Sequence, residues 1–539
     1  MGSPTSGSKR KKTTEKGLRM AATVKEMDGS QGFDAVVVCT SNAAQEAYWQ
    51  ERLEATRGQA AKAGAVIVAV HEDWAADGAG NGLGTLYAYT KAKAKAALQG
   101  ADLDAMLASG GTVGIYHTAG KGTRLAPLPG AENNNKPGVK LPSLVEIAPG
   151  VTSELTILEA VVRQTGCYAP HRAGRCSVFW GDQIFVPAAG HLPSGSHHAD
   201  ILAQMGPMPS EEEWTLKGLD KYGLITVNDA GEAAQVEKVS FETANKLLAS
   251  FGTVTSVGPS LGSFSLSSEM LAALLDEFKS EIAGKTAKMD SDPHFWMPLT
   301  LAKDAYVSVM ITKDESAEAA AAHHDRMQAF RAKLPGTRGV FGAVDVGEGC
   351  YWWDYGQLKL YLTNNVLAMK DTEEAAALRD YLKIPDDGTQ ASELGAGVAL
   401  SGGSIVLASK IGSGSVNNTI ASHVTTGECN ANGCMLINVT ARKIHANNCI
   451  VYNVVDDSED GLVLPDGAVV TNVFMESGEK LVQTSSVTTD GGKVFKSRLS
   501  ANPYSFNDVY KMNQTVDVKE AYAAGAEAHA DAKKKLFGA

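Results

Sequence analysis

Apolar residues recur along this chain with three different periods, and each period predicts its own kind of element. Unbroken apolar runs come first. Residues 35–39 (AVVVC), 65–70 (AVIVAV), 113–116 (VGIY) and 176–180 (CSVFW) show no alternation, as expected of parallel strands covered on both faces. Between them the spacing turns helical, with Ala44, Tyr48 and Leu53 on one side of residues 42–53, an Ala/Lys-rich stretch after Leu86, and apolar faces over residues 155–162. Strands alternating with helices predict an α/β fold, a Rossmann-like doubly wound and mostly parallel sheet that binds ligands at the carboxyl ends of its strands. Residues 222–231, followed by Val236, Glu237 and Lys238, read as a hairpin with Asp/Gly turn chemistry. The Ala-rich residues 314–334 predict a further helix, with His323 and His324 on its exposed side.

Beyond a Gly/Ser/Asp-rich linker at residues 386–403 the period changes again. Val424, Cys429, Cys434, Val439, Ile444, Cys449 and Val454 recur every five residues, with Asn, Ser and Gly filling the gaps. This rhythm predicts a C-terminal β-helix domain, each rung turning one apolar side chain inward, with the alternating strands of a small sandwich as the alternative. The expected plan is therefore a disordered basic tail over residues 1–30, an α/β domain over 31–390, a β-helix over 395–480, and an extension over 481–539 that ends in an amphipathic helix at 516–537.

Composition narrows the function classes. At 539 residues the chain can form two or three domains, and 44% hydrophobic with 20% charged residues is ordinary for a soluble globular protein. A net charge of −12 argues against a nucleic-acid partner, so any ligand phosphate has to be met by a local cluster of cations. No apolar run approaches the roughly 20 residues of a membrane span. Seven cysteines without C-x-x-C spacing suggest reduced thiols in an intracellular protein and argue against zinc. A cytoplasmic location is expected, with plastid or nucleus as alternatives raised by the basic run Lys9-Arg10-Lys11-Lys12.

Residues 111–142 carry the most specific signal. The apolar run at 113–116 empties into His117-Thr118-Ala119-Gly120-Lys121-Gly122-Thr123-Arg124-Leu125, where small residues let backbone amides approach an anion. Arg124 adds a planar guanidinium and Lys136 an ammonium, so the loop offers three kinds of donor to one polyphosphate. Asp182 directly follows the 176–180 run, where a carboxylate can hold Mg²⁺ against nucleotide phosphates. Asp354 stands between Trp353 and Tyr355, a costly buried charge unless a cation meets it.

The wording of these segments resembles sugar-1-phosphate nucleotidyltransferases, the NDP-sugar pyrophosphorylases. Their G-x-G-T-R-L-x-P-L signature followed by Lys-Pro is matched by residues 120–128 and by Lys136-Pro137, with a longer insertion at residues 129–135 that leaves Lys136 or Lys140 as the functional lysine. FDAVVVCTSNAAQEAYWQERLE and GNGLGTLYA resemble L-fucose-1-phosphate guanylyltransferases, whereas GDQIF and Trp-x-Asp-x-Gly resemble the two metal segments of ADP-glucose pyrophosphorylases. The resemblance implies that residues 31–390 form the catalytic domain. Ala119, Gly120, Lys121, Gly122, Thr123, Asn81 and Gly82 would bind the nucleotide, Arg124 and Lys136 would act on the triphosphate, and Asp182 and Asp354 would hold Mg²⁺. It further implies that Gly223, Glu237 and Lys238 hold the sugar phosphate, although Val239 replaces the usual proline.

The reaction so implied joins a nucleoside triphosphate to a sugar-1-phosphate, giving an NDP-sugar and pyrophosphate by in-line attack on the α-phosphorus. Glucose-1-phosphate with UTP or ATP and fucose-1-phosphate with GTP both remain open, as does assembly into a homo-oligomer. The main rival is a catalytically silent regulatory subunit of such an enzyme. Acyl transfer on the β-helix, with His423 or His445 as base, is a weaker one because about three rungs make a short acyl site.

Overall fold

A computed structural model describes residues 14–29, 31–75, 78–188, 194–249 and 251–538. The fold is mixed α/β, with two mostly parallel sheets of ten strands each. In the first sheet, Arg175–Trp180, Val113–His117, Ala35–Thr40 and Val66–His71 lie side by side in that order and all parallel. The lack of alternation in these runs has a direct cause. Val36 and Val38 enter one core with Trp49 and Leu53, while Ala35, Val37 and Cys39 enter another with Leu83 and Leu86. Both faces are buried, so both parities are apolar.

The helix expected over residues 42–53 runs Ala43–Ala55, with Asn42 accepting from the amide of Gln45 at its start. That expected over 155–162 begins two residues later. Leu155 still belongs to the strand Val151–Thr156, and a Thr156/Glu159 capping box opens the helix Ile157–Thr165. The Ala-rich helix is Ala317–Arg331, and its histidines are not on an exposed side: His324 is buried against the Leu301 carbonyl and His323 bonds the His294 carbonyl. The hairpin is present as Gly223–Asn228 paired antiparallel with Ala233–Glu237, Gly223 opposite Glu237.

The disordered tail expected over residues 1–30 gives way from Glu15 to a helix, Glu15–Glu26. Met20, Val24 and Met27, spaced for one helical face, are buried in the main core and explain it. The basic run Lys9–Lys12 lies outside the described residues. The expected linker at 386–403 is also structured: Glu393–Ser401 pairs parallel with Lys410–Asn417.

In the second sheet Ile420 pairs with Met435 and Met435 with Ile450, an offset of fifteen residues. Left-handed backbone recurs at the same interval, at Ala408, His423, Asn438 and Asn453. Three apolar beats of five residues thus fit into the offset between neighbouring strands, and asparagine suits the left-handed positions because it tolerates positive φ. Amide ladders, Asn417 to Asn432 (2.7 Å) and Asn438 to Asn453 (2.8 Å), tie neighbouring strands. Ile405, Ile420, Met435, Ile450 and Val469 join the same core as Leu141, Leu155 and Tyr361, so this sheet is docked on the α/β part through a continuous apolar contact. Among the described residues no helix is long and apolar enough to cross a membrane.

Candidate functional site

Ser41, Glu72, Thr118 and Gly181 are each the first residue beyond one of the four adjacent parallel strands, and all four line a groove of about 700 Å³. The groove therefore follows the carboxyl edge of the sheet, where open parallel sheets hold their ligands. Ala119, Gly120, Lys121, Asn81, Lys136 and Asp182 line it as well. His117 lies half-buried on its floor, with burial pushing the imidazole down to about 4. That neutral ring is 2.8 Å from the Thr85 hydroxyl.

The two carboxylates proposed from sequence meet here. Asp182 follows the turn after Arg175–Trp180, and Asp354 ends the strand Tyr351–Asp354, which pairs antiparallel with Gln183–Val186 so that Asp354 stands opposite Gln183. A methyl group placed on Gly356 would lie 3.0 Å from Asp354 Oδ1, 3.1 Å from Asp182 Oδ2 and 3.7 Å from Lys136 Nζ. One point thus sees two carboxylate oxygens and an ammonium. Lys136 is ion-paired with Asp182, and the Gly356 amide donates to Asp354 Oδ1 at 2.7 Å. Burial, and after it the negative charge of Asp182, raises the Asp354 carboxyl above its ordinary value, against the pull of Lys136 and Arg124. Two crowded, partly dehydrated carboxylates are a hard-oxygen donor set that a divalent cation would relieve.

Gly122 adopts a left-handed φ of 61°, and a side chain there would press within 3.0 Å of the Lys136 stem. The turn is therefore shaped around the lysine. Lys140, the other candidate, points away: it bonds Glu132 at 3.0 Å and the Gly138 carbonyl at 2.9 Å. Not every predicted contact is on the groove wall. Arg124 sets its charge near Asp354 without lining the groove, Thr123 faces the C-terminal segment, and the Gly82 amide is taken by the Met289 carbonyl. Asn81 lines the groove, but its side-chain oxygen accepts from Ser291 (2.6 Å).

A second lobe of about 730 Å³ shares Trp180 and Gln183 with the first and is lined by Gly223, Glu237 and Lys238. Lys238 holds Glu237 at 2.9 Å and keeps most of its side chain in solvent. Asp182 thus sits beside the junction of two lobes, one carrying the phosphate turn and the other a carboxylate–ammonium pair. Sequence reasoning missed several lining residues. Asp292 lines the second lobe, and burial raises its carboxyl to about 6. Glu72 and Trp74 line the far end of the first lobe, and Tyr510 reaches it from the C-terminal extension. No family model and no curated protein matches this chain.

Proposed function

We propose that the chain is a Mg²⁺-dependent sugar-1-phosphate nucleotidyltransferase that forms an NDP-sugar and pyrophosphate. The observation that carries this reading is the convergence of Asp182, Asp354 and Lys136 at the junction of two lobes, beside the phosphate turn. The first lobe would take the nucleotide, with the amides of Ala119–Lys121 and the ammonium groups of Lys121 and Lys136 against the phosphates. The second would take the sugar-1-phosphate, with Lys238 neutralising its phosphate and Glu237 accepting from its hydroxyls. Asp182 and Asp354 would hold Mg²⁺, whose contribution is to draw charge off the α-phosphate during displacement. Trp180 and Gln183, common to both lobes, would keep the attacking phosphate oxygen and the α-phosphorus in line.

The base end favours GTP. Glu72 Oε1 accepts from the Ala79 amide at 2.5 Å, while Oε2 has no hydrogen-bond partner among the described residues. Guanine presents two adjacent donors, N1–H and the N2 amino group, to such an acceptor, whereas uracil presents one donor between two acceptors. Three inter-strand gaps of about 4.8 Å across the four parallel strands put Glu72 about 14 Å from Asp182, a span that suits a base edge and an α-phosphate. In the C-terminal part, the fifteen-residue offset and the recurring left-handed positions support a β-helix that braces the catalytic domain.

A panel of nucleoside triphosphates against sugar-1-phosphates, scored by pyrophosphate release, tests the proposal. Turnover is expected to need Mg²⁺ and to fall at least about a hundredfold in Asp182→Asn and in Asp354→Asn. Near-normal turnover in both variants, or no turnover with any pair in the wild type, defeats it.

A further inference from the structure

The C-terminal extension grips the phosphate turn from two sides. On one side the short helix Gly491–Val494 lies against the turn, where a side chain on Gly491 would come within 2.3 Å of the Thr123 carbonyl, and Phe495 and Phe506 pack on Ala126. On the other side the helix Phe506–Asn513, opened by a Ser505/Asp508 capping box, takes hold of the insertion at residues 129–135. The Asn134 amide donates to the Tyr510 carbonyl (2.6 Å), and the Asn513 amide donates to the Gly130 carbonyl (2.8 Å). These contacts fix the helix relative to the turn. They leave the Tyr510 ring on the groove wall, with the Lys121 ammonium 5.3 Å from its centroid.

Lys121 differs from Lys136 in what holds its charge. Lys136 is paired with Asp182, whereas Lys121 has no carboxylate partner among the described residues. Its charge is held only by the face of a neutral ring, which attracts a cation without cancelling it. A phosphate arriving in the groove therefore meets an ammonium already in position and not taken up by a carboxylate. The Phe495 ring stands edge-on to Tyr510 at 6.2 Å and fixes the tilt of that face.

We propose that Tyr510 is a positioning residue that holds Lys121 at the mouth of the groove, and that the C-terminal extension thereby completes the binding site for the outer phosphates of the nucleotide. The proposal rests on the nucleotidyltransferase reading, in which pyrophosphate is the product leaving this end of the groove.

The test uses the full chain and inorganic pyrophosphate as the probe, so that it does not depend on the identity of base or sugar. Pyrophosphate affinity is measured by calorimetry for the wild type, Tyr510→Phe, Tyr510→Leu, Lys121→Met and the Tyr510→Leu/Lys121→Met double variant. Tyr510→Phe, which keeps the ring face, is expected to bind as the wild type does. Tyr510→Leu and Lys121→Met should each weaken binding about five- to thirtyfold, and the double variant should bind no more weakly than Lys121→Met alone. In steady-state assays Tyr510→Leu should raise the KM for the triphosphate by a similar factor and leave kcat near wild type. Wild-type affinity in Tyr510→Leu overturns the proposal. So does a further loss in the double variant, because a general loosening of the turn would act without Lys121. A wild type that binds no pyrophosphate sinks the parent reading instead, which separates the two failures.

Discussion

Two lysines, four residues apart, are expected to fail in opposite ways when each is replaced by methionine. Lys140 is enclosed: its ammonium meets Glu132 at 3.0 Å, and the exposed fractions of the two side chains are 13% and 5%. Glu132 also accepts from the hydroxyls of Tyr522 (2.8 Å) and Tyr452, while the Lys140 carbonyl accepts from Tyr361 (2.6 Å). Removing the ammonium strands a buried carboxylate, which costs about 3–5 kcal/mol when nothing else compensates. The two phenols remain, so about 3 kcal/mol is expected, a large part of the 5–15 kcal/mol that typically separates folded from unfolded chains. Lys136 sits beside Asp182 with both side chains nearly a fifth exposed, so water can replace part of the ammonium and its loss should cost about 1–2 kcal/mol, less than that of Lys140. Its charge, however, lies where the triphosphate would be bound, and turnover should fall about 100- to 1,000-fold. Urea unfolding followed by fluorescence, with pyrophosphate release measured on the same preparations, separates the two effects. A Lys140→Met variant that keeps its urea midpoint but loses turnover, or a Lys136→Met variant that keeps turnover, would refute the assignment.

Two further outcomes follow from other parts of the molecule. Replacing Glu72 by Gln puts a donor beside the donors of guanine, so the preference for GTP over UTP should drop at least about tenfold in competition assays, and an unchanged preference would remove Glu72 from base selection. His197 is held between Asp200 (3.4 Å) and Glu232 (3.5 Å), and these two carboxylates, Asp200 foremost, raise it to about 9. A raised histidine stabilises fully below its unfolded value near 6.5, and that contribution is lost as the pH rises through about 9. The gap in unfolding free energy between wild type and His197→Gln should therefore shrink by up to about 3 kcal/mol from pH 6 to pH 10. A gap that stays constant over that range would show that the ion pairs contribute nothing to stability.

The parts of this molecule that were legible in the sequence are those whose partners are either near in the chain or generic. A strand covered on both faces needs only apolar neighbours, so residues 35–39 and 176–180 declare themselves without naming what covers them. The five-residue beat is legible because its partner is the same beat fifteen residues on. Asp182 and Asp354 were legible because each follows or ends a strand in a recognisable phrase. Lys140 and the C-terminal grip were not, for a physical reason. The bond from Asn134 to Tyr510 joins residues 376 positions apart, and no local period or turn rule carries information over that distance.

The same separation explains why the insertion at residues 129–135 carried no sign of its partners in the sequence. Three consecutive asparagines ordinarily face water, and two of these three adopt positive φ, as turn residues do. Yet Asn133, Asn134 and Asn135 are all more than nine-tenths buried, and two of them have distant partners: the Asn135 side chain receives the Trp49 indole at 3.0 Å, and Asn134 lies under Tyr510 and Asn513. Burying amides without partners would cost several kcal/mol, so a polar insertion at a ligand-binding turn is retained only where distant elements supply those partners. The longer spacer is accordingly a socket for the helix Ala43–Ala55 on one side and for Phe506–Asn513 on the other. It is through that socket that two segments more than 450 residues apart bear on the position of Lys136 and Lys121.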